Sequence, residues 1–245
     1  MKALAKFLEF QVDKITAGRS LPIDLDTLSA DIGVVVEERE MIPEAAMQVV
    51  DGGLHIYIQS NFNDLPGSTL RRRFSHAHEI GHTLFYEQRN GELKARKDSP
   101  RGDALEVACH KAASMILVPS KILRTELRDR ELTDADEIVI RAKRFEVSLE
   151  VMVRRLQESG AFDRNWTAVL ARRTGGTLVV EYAAYTHWLI PHIVVPERGM
   201  AFSEWFRGIQ QPDGTLKKRV NGGSLVATPQ EVTKTLVIFG FRLVT

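Results

Sequence analysis

At 245 residues, 44% of them hydrophobic and 27% charged, the chain has the composition of a soluble globular protein of one large domain or a few small ones. A formal net charge of +1 gives no overall basic field to gather nucleic acid, and a single cysteine excludes an internal disulfide framework. No apolar run reaches membrane-spanning length and the N-terminus lacks the apolar stretch of a signal peptide, so a cytoplasmic location with no membrane partner is expected. An amphipathic helix is predicted from about Lys2 to Ala17, closed by Gly18. After Leu21-Pro22-Ile23, Asp24 or Asp26 is suited to cap a short second helix carrying Leu25, Leu28 and Ile32, with Gly33 ending it.

Val34 to Glu38 is β-branched and strand-like, and two further strands, Met47–Val50 and Leu54–Ile58, flank the hairpin signal Asp51-Gly52-Gly53. Leu54–Ile58 is the candidate for an edge strand that pairs with an extended substrate. On it, His55 and Tyr57 alternate onto one face, pointing either into a cleft or simply to water. The run Arg71-Arg72-Arg73 that follows reads as a solvated helix flank in preference to a polyanion contact.

The next stretch carries the chemistry. His78-Glu79-Ile80-Gly81-His82 matches H-E-x-x-H. On a helix, residues four apart stack on one face, so both imidazoles aim at one point, and two neutral imidazoles suit a divalent zinc ion. Glu79 then sits beside the open position, where it can act as general base toward a water activated by the ion. Phe74, Ala77, Ile80, Leu84 and Phe85 make this helix largely apolar, and buried imidazoles need partners. Gly81 costs a helix roughly 1 kcal/mol relative to alanine, which is most easily understood if another element must approach closely there.

No histidine follows between Thr83 and Asn90, so a third ligand has to come from elsewhere. The helix predicted from Asp103 to Leu117 places Glu106, His110 and Ala113 on one face, and Ala108, Ala112 and Ala113 offer a small-residue surface to Gly81. Glu106 is the chosen third ligand. His110 has several readings: it hydrogen-bonds a ligand carboxylate or the reaction oxyanion, it replaces Glu106, or it is a helix histidine satisfied by a neighbour. A donor set of two imidazoles and a carboxylate favours Zn2+, with Mn2+ as the alternative.

Arg73-Phe74-Ser75-His76-Ala77-His78-Glu79-Ile80-Gly81-His82, followed by Glu106 through Ala112-Ala113 to Leu117-Val118-Pro119, resembles the ImmA/IrrE family of metallo-endopeptidases. The resemblance spans about residues 20 to 160. It departs at Cys109-His110, where Ala-Asn is usual, and at Ala112 and Val118, where Phe and Met are usual. It implies a zincin-like core in which His78, His82 and Glu106 are metal ligands and Glu79 the general base. It also implies a protein substrate, typically a helix-turn-helix transcriptional repressor whose cleavage releases stress-response or mobile-element genes.

Beyond Pro119 the pattern is helical to Gly160, with helices over Ala135–Phe145 and Leu149–Glu158 meeting across Glu146-Val147-Ser148 like a helix-turn-helix. Arg141, Lys143, Arg144, Arg154 and Arg155 are interleaved with acids, so packing or substrate docking is expected ahead of direct DNA binding. From Trp166 strands are predicted over 166–172, 177–182, 187–195, 224–228 and 235–243. The expected architecture is therefore α+β: a metallopeptidase core over residues 1–120, a helix-turn-helix-like segment over 121–160, and a β-rich C-terminal domain over 161–245 with a sensor or substrate-recognition role. The alternative function is a DNA-binding transcriptional regulator that uses the helical middle, with a structural metal or none.

Overall fold

The computed structural model describes residues 2–61, 68–127, 134–162, 166–184, 195–220 and 223–244, and the fold is mixed α+β. The chain divides into two compact units, one of residues 1–123 with 144–147 and the other of 124–143 with 148–245.

The first unit opens with α1 (Lys2–Thr16), whose Leu8 and Val12 are buried. Then comes α2 (Leu25–Asp31), capped by Asp24, whose carboxylate accepts from the N–H groups of Asp26 and Thr27. Three strands follow: β1 (Val34–Arg39), β2 (Ala45–Val50) and β3 (Gly53–Gln59), in the order β1-β3-β2. The β2–β3 hairpin turns at Asp51 (φ 50°) and Gly52 (φ 78°), the positive-φ pair of a type I′ turn.

Strand order corrects one expectation. β3 is the middle strand, parallel to β1 on one side and antiparallel to β2 on the other, so Leu54–Ile58 has no free ladder for a substrate. The outer strand beside the long helix that follows is β2.

That helix is α3 (Ser68–Thr83), and after it β4 (Tyr86–Arg89) and β5 (Glu92–Ala95) form a small hairpin. Next is α4 (Asp103–Leu117), which lies against α3 through the smallest residues of both. A Cβ built on Gly81 would stand 3.1 Å from the Cys109 carbonyl oxygen and 3.1 Å from the Ala112 Cβ. Both obstacles are fixed to the α4 backbone, so neither can rotate away. Gly81→Ala gains about 1 kcal/mol of helix propensity, against overpacking that typically costs 1–3 kcal/mol. The expected net result is a lower urea midpoint, because α4 must move outward. An unchanged midpoint would mean that the helix contact is not tight.

The chain then passes through α5 (Ser120–Leu127), α6 (Ala135–Phe145) and α7 (Leu149–Glu158), the last capped by the Ser148 hydroxyl accepting from Val151 N–H at 3.3 Å. In the second unit, β6 (Trp166–Thr174), β7 (Thr177–Ala183), the short α8 (Phe202–Trp205), β8 (Ile209–Gln210), β9 (Leu216–Val220), β10 (Gly223–Thr233) and β11 (Leu236–Val244) complete the fold. Their strands make one antiparallel sheet ordered β7-β6-β11-β10-β9-β8. The core of that sheet is Val169, Ala171, Val180, Phe202, Phe206, Leu225, Phe239 and Phe241, with the Phe202 and Phe239 rings stacked 4.0 Å apart. The strand expected over 187–195 falls outside the described residues, apart from Val195.

Candidate metal centre

On α3, one helical turn brings the Nε2 atoms of His78 and His82 to 3.1 Å from each other, with the rings 4.9 Å apart and 72° inclined. The close α3–α4 contact at Gly81 delivers Glu106 from the first turn of α4 to the same point. Its Oε2 lies 3.1 Å from His78 Nε2, and its Oε1 lies 3.6 Å from His82 Nε2. A proton between the two Nε2 atoms satisfies one of these contacts, whereas a dication satisfies all three. Tetrahedral zinc with bonds of 2.0–2.1 Å spaces its donors by roughly 3.3 Å, close to the separations here. The residues present therefore fit a zinc ion. The two imidazole side chains are only 12% and 15% exposed while the Glu106 side chain is 53% exposed, so the cluster opens to solvent on the α4 side.

Electrostatics prepare these groups for ligation. Burial, reinforced by the neighbouring His110 and His82 rings and opposed by Glu106, lowers the pKa of His78 to about 4. Burial also lowers that of His82, with Glu106 opposing. Both imidazoles are thus neutral at pH 7, which is the ligating form. Glu79 is buried between them in sequence, and one donor atom from each of His78, Glu79 and His82 lies within 4.8 Å of the others. Its desolvation raises the carboxyl pKa to about 7, a shift that the Met47 backbone N–H opposes and the Glu106 charge assists.

Residues 63–157 match the family model for the IrrE N-terminal-like domain, Peptidase_M78. This segment belongs to the ImmA/IrrE family. No curated protein matches the chain. Among solved structures, a Mycobacterium tuberculosis transcriptional regulator is similar with a TM-score of 0.47 and 16% identity, over 99% of this chain and 77% of that one. The IrrE-like segment is a metallopeptidase-family domain and contains His78, Glu79, His82, Glu106 and His110. The sheet of β1, β2 and β3 lies outside the match.

His110 joins the cluster. Its ring stands 4.5 Å from that of His78 and 5.8 Å from that of Phe74. One donor atom from each of His78, Glu106 and His110 lies within 4.8 Å of the others. His76, two residues before His78, faces elsewhere as its spacing requires: its Nε2 is 3.0 Å from the Ser29 hydroxyl, and burial lowers its pKa to about 4. Cys109 is fully buried, and burial pushes its thiol up to about 12, so it is an inert packing residue.

His55 and Tyr57 do not join the centre. They alternate with the fully buried Ile56 and Ile58 and so occupy the other face of the middle strand. There His55 Nδ1 is 3.7 Å from Glu37, and the Arg39 guanidinium covers the Tyr57 ring at 3.8 Å. The expectation of a substrate strand carrying these two residues is corrected accordingly, since β1 and β2 flank them. Arg71, Arg72 and Arg73 pair with Glu44, Glu38 and Glu146 respectively. The Ser75 hydroxyl also donates to Glu44, at 2.9 Å, which ties α3 to the start of β2. Sequence reasoning missed Met47, whose role is played by its backbone N–H; no side-chain signal marks such a group.

Proposed function

We propose that the chain is a zinc-dependent endopeptidase in which His78, His82 and Glu106 hold the ion and Glu79 is the general base. The convergence of two imidazoles and a carboxylate beside one further buried carboxyl carries this reading. When bound, zinc lowers the pKa of a coordinated water and polarises the scissile carbonyl. Glu79 accepts the proton from the attacking water and passes it to the departing amide nitrogen. The Met47 N–H supports the orientation of that carboxylate.

The substrate is a protein chain bound in extended form along β2. As an outer strand, β2 pairs with β3 on one side, which leaves its other edge to add a strand beside Glu79. A motif helix beneath such an edge is a zincin-like arrangement. Following the family resemblance, the substrate is a helix-turn-helix repressor, cleaved in the cytoplasm; Mn2+ is the alternative metal. Direct DNA binding is less well supported. Arg141, Arg154 and Arg155 each pair with an acid on the same helix, Glu137, Glu150 and Glu158, and so offer little charge to phosphates.

The test is to incubate the purified zinc-loaded protein with the repressor encoded beside its gene, with and without chelator. Chelator-sensitive scission at a defined bond, read by mass spectrometry, is expected. Intact repressor together with chelator-insensitive duplex binding of steep salt dependence would replace this reading with a DNA-binding one.

A further inference from the structure

We propose that His110 is a fourth protein ligand, so that three imidazoles and one carboxylate hold the ion while the reacting water takes a fifth position. This inference rests on the metallopeptidase reading above but concerns a residue the catalytic scheme does not use. Its basis is the tautomer. His110 Nδ1 lies 2.9 Å from the backbone carbonyl of Glu106, one turn earlier on α4. A carbonyl only accepts, so Nδ1 carries the ring proton and donates it, leaving the lone pair on Nε2. An Nδ1–H held by a backbone carbonyl is the arrangement that fixes a ligating histidine's tautomer and raises its basicity.

The two donor sets overlap, since His78 and Glu106 sit with His82 on one side and with His110 on the other. The His78 and His110 rings are edge-on at 71°, an orientation that lets two ring nitrogens address one point without stacking. By contrast, His78 Nδ1 is buried with no hydrogen-bond partner among the described residues, so polar contacts reach that ring through Nε2. His110 thus has a polar anchor through Nδ1, and it is solvent-exposed on the same α4 side as Glu106.

The experiment is X-ray absorption at the zinc edge, paired with zinc affinity by chelator competition, on the wild-type chain and on His110→Asn. Because His110 is exposed, the variant should fold, and circular dichroism confirms this before loading. Three imidazoles in the wild type and two in His110→Asn are expected, with a loss of affinity beyond the 10- to 100-fold that removal of a supporting partner costs. His110→Gln, which lengthens the side chain but has no imidazole, should give the same count of two. Stoichiometric zinc with two imidazoles in every protein, at equal affinity, would overturn the proposal while leaving the metallopeptidase reading intact. A wild-type chain that takes up no zinc would overturn both.

Discussion

Glu79→Gln should keep the zinc and lose cleavage, with turnover falling by about 10²- to 10⁴-fold, the range that general acid–base catalysis supplies. The amide matches the carboxylate in shape and can still accept from the Met47 N–H, so folding and metal uptake are preserved. It cannot take a proton from water, so both proton transfers stop. The same variant should show a pH signature in the metal-free protein. A carboxyl whose pKa is about 7 when folded, against an ordinary 4.5, contributes stability that is complete below pH 4.5 and lost as pH rises through 7. A shift of that size corresponds to about 3 kcal/mol. Wild type should therefore lose stability on that order across this window, whereas Glu79→Gln should not, as urea unfolding at pH 5 and pH 8 would read. Undiminished cleavage by purified Glu79→Gln would remove Glu79 from the reaction.

The centre was largely legible in the sequence because its geometry is local. Four-residue spacing dictates that His78 and His82 stack wherever α3 forms. Glu106 is distant in sequence, yet it stands on a helix whose small residues match Gly81, and the 3.1 Å contacts there show why no larger residue fits. Strand order was not legible. Whether β3 is an edge or a centre depends on parallel pairing with β1, a non-local contact that leaves no mark in the alternation of either strand. Consequently the outer-strand role moved from Leu54–Ile58 to β2, and His55 and Tyr57 moved out of the site. The β4–β5 hairpin is a different case. Asn90 (φ 54°) and Gly91 (φ 80°) form a type I′ pair, and Asn-Gly is the sequence signal for that turn. In the second unit, β9 contains Lys217, Lys218 and Arg219, charges that hide a strand from hydrophobic periodicity although they suit one near the margin of a sheet.

Removing ligands one at a time should give unequal losses, and the inequality tests the whole donor set. His82→Ala is expected to abolish cleavage and to weaken zinc binding sharply, with His78, Glu106 and His110 left as donors. It removes one of the two α3 imidazoles, and alanine leaves a gap in a partly buried site beside Glu106. Glu106→Gln removes the negative charge that lies 3.1 Å from His78 and 3.6 Å from His82 while keeping the side chain's shape. Affinity should fall more than the 10- to 100-fold that loss of a supporting partner costs, but some binding should survive through His78, His82 and His110. The double variant Glu106→Gln/His110→Asn leaves two imidazoles and a buried glutamate, and should hold no zinc at micromolar concentration. Chelator-competition titrations at pH 7 rank the three. Because His78 has a pKa of about 4, protons should not compete for that ligand until well below neutrality. If Glu106→Gln bound zinc as tightly as wild type, the carboxylate beside the histidine pair would be a neighbour of the ion and not a ligand, and the third donor would have to be His110.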